Sequence, residues 1–218
     1  MKIKEYYANP LVKLNEATHE YYWTATNEII QGPSITKLIE VVYPFNVKDI
    51  PIKALKAGIE KGICVHNRLS EYIKNNNEGT CDHKYNGWPI QTHTREYLWI
   101  KENLSNVLPK EIYSEVSLSN GRYNGTFDLL YLDQNDKWHL VDFKTTARLN
   151  KQKEILQLKF YEDLITTAFE DIDEIHYYEI YNSKNQEHYN FDEFMHKQAI
   201  FEKEKIMKES EFSYLFEE

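Results

Sequence analysis

Residues 125–146, GTFDLLYLDQNDKWHLVDFKTT, constrain the chain more than any other stretch. Two apolar runs flank the polar turn DQNDK, which is the pattern of a β-hairpin. A hairpin centred on Asn135 sets Leu129 against Val141 and Asp128 against Asp142. The two acids then stand with Cβ atoms roughly 5 Å apart. Side chains alternate across a strand, so Asp142 and Lys144 share one face and Val141 and Phe143 the other. The preceding strand, IYSEVSLS, turns through Asn120-Gly121. A two-residue loop there sets Tyr113 across from Asp128 and Glu115 across from Thr126. Glu115, Asp128, Asp142 and Lys144 are thus expected on one face of three adjacent strands.

Two carboxylates that close repel and need a cation. Lys144 can serve, and so can a hard divalent ion. Carboxylate oxygens suit Mg²⁺ or Mn²⁺, which keep waters and accept phosphate oxygens. Such an ion polarises a phosphodiester, and an adjacent ammonium stabilises charge developing on the phosphoryl group. The strands taken alone are equally compatible with a surface Lys–Asp pair, which contributes little. On the following helix, Gln157 and Tyr161 lie four apart and share a face that fits a backbone phosphate, or an ordinary helix boundary.

The rest of the chain reads as a frame for that hairpin. A hairpin is expected over 19–32, a helix capped by Ser34 over 35–42, and a long helix over 52–75 with Leu55, Ile59, Ile63, His66, Leu69 and Ile73 in one stripe. Residues 75–92 read as a loop, 92–105 and 151–169 as helices, EIHYYEIYN as a strand and 192–208 as a closing helix. This order predicts an α/β (α+β) domain with a central mixed sheet flanked by helices. One domain is expected over 1–218, with an N-terminal hairpin and helix (1–50), a helical region (51–110), a sheet and helix bearing the site (111–190), and a C-terminal helix and tail (191–218).

In this order the residues resemble the PD-(D/E)XK nuclease superfamily, and in particular its RecB-type branch. The carriers are Asp128, then VDFKT with Asp142 and Lys144, then QLKFY with Gln157 and Tyr161, and upstream KGICVH with Gly62 and His66. The segment HEYYWTATNEIIQGPSITKLIE is similar to the start of phage recombination exonucleases and of the mitochondrial genome-maintenance exonuclease. The resemblance implies a restriction-endonuclease-like core and DNA hydrolysis, most readily by an exonuclease in recombination, repair or phage DNA processing. An endonuclease of the same fold and a non-catalytic binding module are the alternatives. It implies Asp128, Asp142 and His66 as ligands of one or two Mg²⁺ or Mn²⁺ ions, Lys144 beside the attacking water, and Gln157 and Tyr161 on the substrate. Glu115 matches a less regular acidic position, and otherwise reads as a partner of Lys144 or Arg122. His66 alone, on an apolar stripe, reads as an interior histidine.

Composition narrows the partners. The net charge of −9 argues against a protein that coats nucleic acid, yet leaves room for a local basic lip. Arg148 and Lys151, within a run that includes Lys137 and Lys153, are candidate DNA contacts. DNA, single- or double-stranded, is the expected partner, and a single-strand annealing protein a further candidate that no residue encodes. Two cysteines provide neither a disulfide framework nor an iron–sulfur cluster. Cys81, His83 and His93 lack zinc spacing and a fourth ligand. With no apolar run near ~20 residues and no secretion signal, the expected compartment is the cytoplasm of a bacterial or phage-infected cell.

Overall fold

The computed structural model describes residues 1–15, 18–45, 50–76, 84–85, 88–89 and 94–216, with backbone alone at 84–85, 88–89 and 94. Helix α1 (Ile3–Ala8) leads into strands β1 (Val12–Asn15) and β2 (Glu20–Trp23), which pair antiparallel. The strand within the expected 19–32 hairpin therefore takes its main partner from upstream, and Ile29 adds one bridge to Tyr22. Helix α2 (Ile35–Glu40) begins where Ser34 accepts a bond from the Lys37 amide, as its sequence predicts. Helix α3 (Ile52–Asn75) matches its expected bounds and ends on Asn76 in the left-handed conformation.

Two short strands, β3 (Lys84–Tyr85) and β4 (Trp88–Pro89), pair with each other. The rest of the expected 75–92 loop lies largely outside the described residues, as do Cys81, His83 and His93. Helix α4 (Thr94–Ser105) precedes the central sheet, β5 (Glu111–Ser119), β6 (Asn124–Leu132) and β7 (Trp138–Lys144). Helix α5 (Lys151–Ala168) then crosses to β8 (Tyr177–Asn182), which lies parallel to β7. Strand β9 (Glu187–Asn190), helix α6 (Glu193–Glu209) and a 3-10 turn (Ser213–Leu215) follow. The sheet order β5-β6-β7-β8-β9 is the expected mixed sheet. A parallel pair needs a crossover, and α5 supplies it.

Both sheet faces are covered. One core joins Leu130, Leu140 and Ile180 to Ile155, Leu158 and Leu164 of α5 and to α1, α2 and α6. The other joins Leu129, Val141, Phe143 and Tyr181 to Val65 and Leu69 of α3 and Tyr97 and Ile100 of α4. The expected stripe on α3 holds only in its C-terminal half. Ile59 and Ile63 are exposed, because the sheet supports the helix only from about Cys64 onward.

Two glycines are demanded by packing. Gly32 adopts φ +117, and a Cβ there would lie 2.6 Å from the Arg122 carbonyl oxygen. A Cβ on Gly125 would lie 2.6 Å from both Ile35 Cδ1 and Tyr161 Cε1, so its absence lets α2 and α5 close on β6. Among the described residues no helix is long and apolar enough to cross a membrane.

Candidate active site

The β6–β7 register is the expected one: Leu129 faces Val141 and Leu130 faces Leu140. The β5–β6 register differs from expectation by two residues. Tyr113 faces Leu130, and Glu115 lies between the pairs Ser114–Leu129 and Val116–Phe127, opposite Asp128. The cause is the turn. Asn120 Oδ1 accepts from the amides of Arg122 and Tyr123, so the connection spans four residues instead of two. A slip of two by itself leaves every side chain on its expected face.

Strict alternation nevertheless breaks there. Before the acids, Tyr113 and Leu130 enter the α5-side core while Ile112 and Leu129 enter the α3-side core. Beyond them, Val116, Leu118 and Phe127 enter the α5-side core, so both strands change phase at Glu115 and Asp128. Glu115 carries the shift at φ +52, a left-handed conformation that costs a non-glycine residue on the order of 1–2 kcal/mol. The acids thus meet because the pleat is interrupted, not because it continues as the sequence reading supposes.

His66 reaches this point from α3. Its Nε2–H donates to the Phe143 carbonyl oxygen at 3.0 Å. That bond places a proton on Nε2 and turns Nδ1 toward Asp128 Oδ1 (3.2 Å) and Glu115 Oε1 (3.5 Å). The second oxygen of Asp128 accepts from the Phe143 amide at 2.6 Å. The ligand atoms of His66, Glu115 and Asp128 lie within 4.8 Å of one another, with the geometry of a candidate metal group. One imidazole nitrogen held by a backbone carbonyl, plus two carboxylates, is a donor set that fits a divalent cation. Burial opposes a charge on His66, but Asp128 and Glu115 outweigh it and hold its pKa well above the ordinary imidazole value. A proton on Nδ1 and a cation therefore compete for the same carboxylates.

Asp142 lies outside that group of three, tied to Lys144. Lys144 Nζ stands 2.8 Å from Asp142 Oδ2, 2.9 Å from Glu154 Oε2 and 3.4 Å from Gln157 Oε1. Gln157 Nε2 donates to Asp142 Oδ1 at 3.4 Å and to the Tyr161 hydroxyl at 3.1 Å. Burial pushes Asp142 up to about 6, against the pull of Lys144 and with the added repulsion of Asp128. Burial works against the Lys144 charge, yet Asp142, Glu154 and Asp128 keep its pKa well above the usual lysine range. Four carboxylates here meet one ammonium and one imidazole, an excess of negative charge that favours a further cation.

Glu154 escaped the sequence reading. It lies in the first turn of α5, where acids commonly face water and the helix dipole, yet it is buried. Its signal was the spacing Glu154, Gln157, Tyr161, which puts all three on one helical face. Gln157 bonds to both Asp142 and Lys144 and so braces the charged pair directly, while the Tyr161 hydroxyl accepts from Gln157 and acts only through it. Arg148 is exposed, and Lys151 Nζ sits 3.9 Å above the Tyr189 ring.

Two clefts border the cluster. One, of about 880 Å³, is lined by Lys13, Asn67, Lys74, Glu115, Ser117 and Thr126 among others. The other, of about 440 Å³, includes Tyr43, Thr146, Arg148, Lys153 and Glu154. The first touches the metal-group end and the second the Lys144 end.

No curated protein sequence matches the chain. A family model described as the PD-(D/E)XK nuclease superfamily matches residues 51–215, which span α3, the whole central sheet and α5. With an acid at Asp128, the acid–x–lysine pair at Asp142 and Lys144, and a mixed sheet between helical layers, the chain belongs to the PD-(D/E)XK nuclease superfamily.

Proposed function

We propose that this protein is a divalent-metal-dependent deoxyribonuclease of the RecB-type branch, acting as an exonuclease in recombination, repair or phage DNA processing. The observation that carries the metal-dependent chemistry is the placement of Lys144 beside Asp142 while His66, Glu115 and Asp128 gather within 4.8 Å of each other. The exonuclease assignment rests on the resemblance of residues 19–40 and of the His66 helix to that branch.

His66, Glu115 and Asp128 would hold the ion, with Asp142 joining as it releases Lys144. Such an ion supplies Lewis-acid polarisation of the phosphodiester. An imidazole in the set favours Mn²⁺ over Mg²⁺, which prefers oxygen donors alone. Lys144, kept protonated by its acidic neighbours, donates a hydrogen bond to the attacking water or to a phosphoryl oxygen and does not remove a proton. Water adds to phosphorus, one ester P–O bond breaks, and the products are a phosphate end and a hydroxyl end. The two clefts provide a path for the strand on either side of this point, with Lys13, Lys74, Arg148 and Lys153 facing its phosphates.

The test uses end-labelled linear DNA, single- and double-stranded, and covalently closed circles, each with Mn²⁺, Mg²⁺ or chelator. Mononucleotide or short-fragment release from ends, with circles intact, is expected. Cutting of closed circles would make the protein an endonuclease. DNA binding without any cleavage, unaffected by Asp128→Asn or Lys144→Ala, would leave the fold as a binding module.

A further inference from the structure

We propose that Glu154 is a positioning residue that keeps Lys144 in place when Asp142 is given up to a cation. This rests on the metal-dependent nuclease reading above. An ammonium has three N–H donors and no acceptor. In the structure Lys144 Nζ donates to Gln157 Oε1 at 3.4 Å and stands 2.8 Å from Asp142 Oδ2 and 2.9 Å from Glu154 Oε2 as ion-pair contacts, and neither of those carboxylate oxygens receives a hydrogen bond. An ammonium ringed this closely by protein oxygens has to be uncovered on one side before it can meet a water or a phosphate, and Asp142 is the partner placed to withdraw. It lies next to Asp128 and is repelled by it, so a cation held by Asp128 is where its charge is best satisfied.

Were Asp142 the only carboxylate on Lys144, that transfer would strand a half-buried ammonium without a counter-charge, which is unfavourable. Glu154 removes the obstacle. It is buried, pairs with Lys144 at 2.9 Å, and sits on α5 away from the group formed by His66, Glu115 and Asp128. Glu154 then keeps the charge of Lys144 paired and Gln157 keeps its hydrogen bond, while the side of the ammonium that Asp142 Oδ2 had covered opens to the substrate. Glu154 borders the second cleft, lies outside the candidate ion group, and acts through Lys144.

A double-mutant cycle on the full chain tests this, with Mn²⁺ as the titrant in calorimetry. Glu154→Gln, nearly the same shape, is expected to weaken Mn²⁺ binding about 10-fold, because Lys144 then holds Asp142 alone. In a Lys144→Met background the same change is expected to cost less than about 2-fold, since no ammonium competes. Glu154→Gln should also lower kcat with KM for DNA unchanged, and Glu154→Asp should restore part of it. Equal losses in both backgrounds would mean a through-space charge effect and would overturn the proposal, as would no loss in either. Should Lys144→Met fail to fold, judged by circular dichroism, Lys144→Gln keeps a donor without the charge and completes the cycle. Wild-type protein that neither binds Mn²⁺ nor cleaves DNA would sink the nuclease reading itself. Cleavage by wild type with an uncoupled cycle would remove only the role of Glu154.

Discussion

Replacing Asp142 by Asn should inactivate the enzyme and, in the absence of metal, stabilise it. Asp142 titrates near 6 in the fold, against an ordinary 3.8. Its folded pKa is raised, so the sign is that of a group destabilised by ionisation. Stability is full below the unfolded pKa, falls as pH rises through about 6, and stays low above it. At 1.36 kcal/mol per pH unit, the ionised form costs about 3 kcal/mol at pH 7. Asparagine copies the neutral acid, and its carbonyl can still accept from Lys144. With chelator at pH 7 the variant should therefore gain about 3 kcal/mol, or roughly 6–12 °C in melting temperature for a chain of this size. At pH 4 the two proteins should melt together. Saturating Mn²⁺ should narrow or reverse the difference, since wild type gains about 2.7 kcal/mol at one hundred times Kd and the variant less. Scanning calorimetry at both pH values decides it. A variant less stable at pH 7, or a gain of equal size at pH 4, would refute the electrostatic account of this site.

Three further outcomes follow from the same structure. Because His66 must lose its Nδ1 proton to accept an ion, Mn²⁺ affinity should rise about tenfold per pH unit while His66 is protonated, with proton release seen by calorimetry in two buffers; His66→Gln should flatten the profile. Gly125→Ala should cost about 1–3 kcal/mol in chemical denaturation and lower kcat, because the new methyl displaces Ile35 and Tyr161 and with Tyr161 the bond to Gln157. Burial would raise the pKa of Glu179, but hydrogen bonds from His139 and His188 hold it at about 2. It therefore stabilises the fold above pH ~4.5 and loses that contribution as pH falls toward 2; Glu179→Gln should cost about 3 kcal/mol at pH 7 and markedly less at pH 3.

What the sequence made legible was local. The turn DQNDK fixed the β6–β7 register, Ser34 announced α2, and the spacing of apolar residues gave the bounds of α3. Each depends on neighbours within a few residues. The errors came where distant parts decide. Asn120-Gly121 looked like a two-residue turn, but bonds from the Asn120 side chain lengthened it. Ile59 and Ile63 fit a helical stripe, but they are exposed among the described residues, beyond the part of the helix that the sheet buries. Helical periodicity cannot report where a support ends. Asp128, Asp142 and Lys144 were visible because charges are rare in apolar strands. Glu154 was hidden because an acid in the first turn of a helix is commonplace, and only its depth beneath Lys144 sets it apart. The phase change at Glu115 was not legible at all, since an αL residue within a strand leaves no mark in residue type unless it is glycine.

The crossover from β7 through α5 has one more consequence, for the order in which the site assembles. Asp142, Lys144, Glu154, Gln157 and Tyr161 all come from one short run of chain, so their mutual arrangement needs little more than a strand and the helix laid against it. His66, Glu115 and Asp128 come from three separate elements, brought together only after α3 has docked on a sheet built from residues far downstream. On the proposed reading, ion uptake is therefore expected late on the way to the native state, and a chain that has made its lysine nest but not closed its histidine helix is expected to be inert toward nucleic acid.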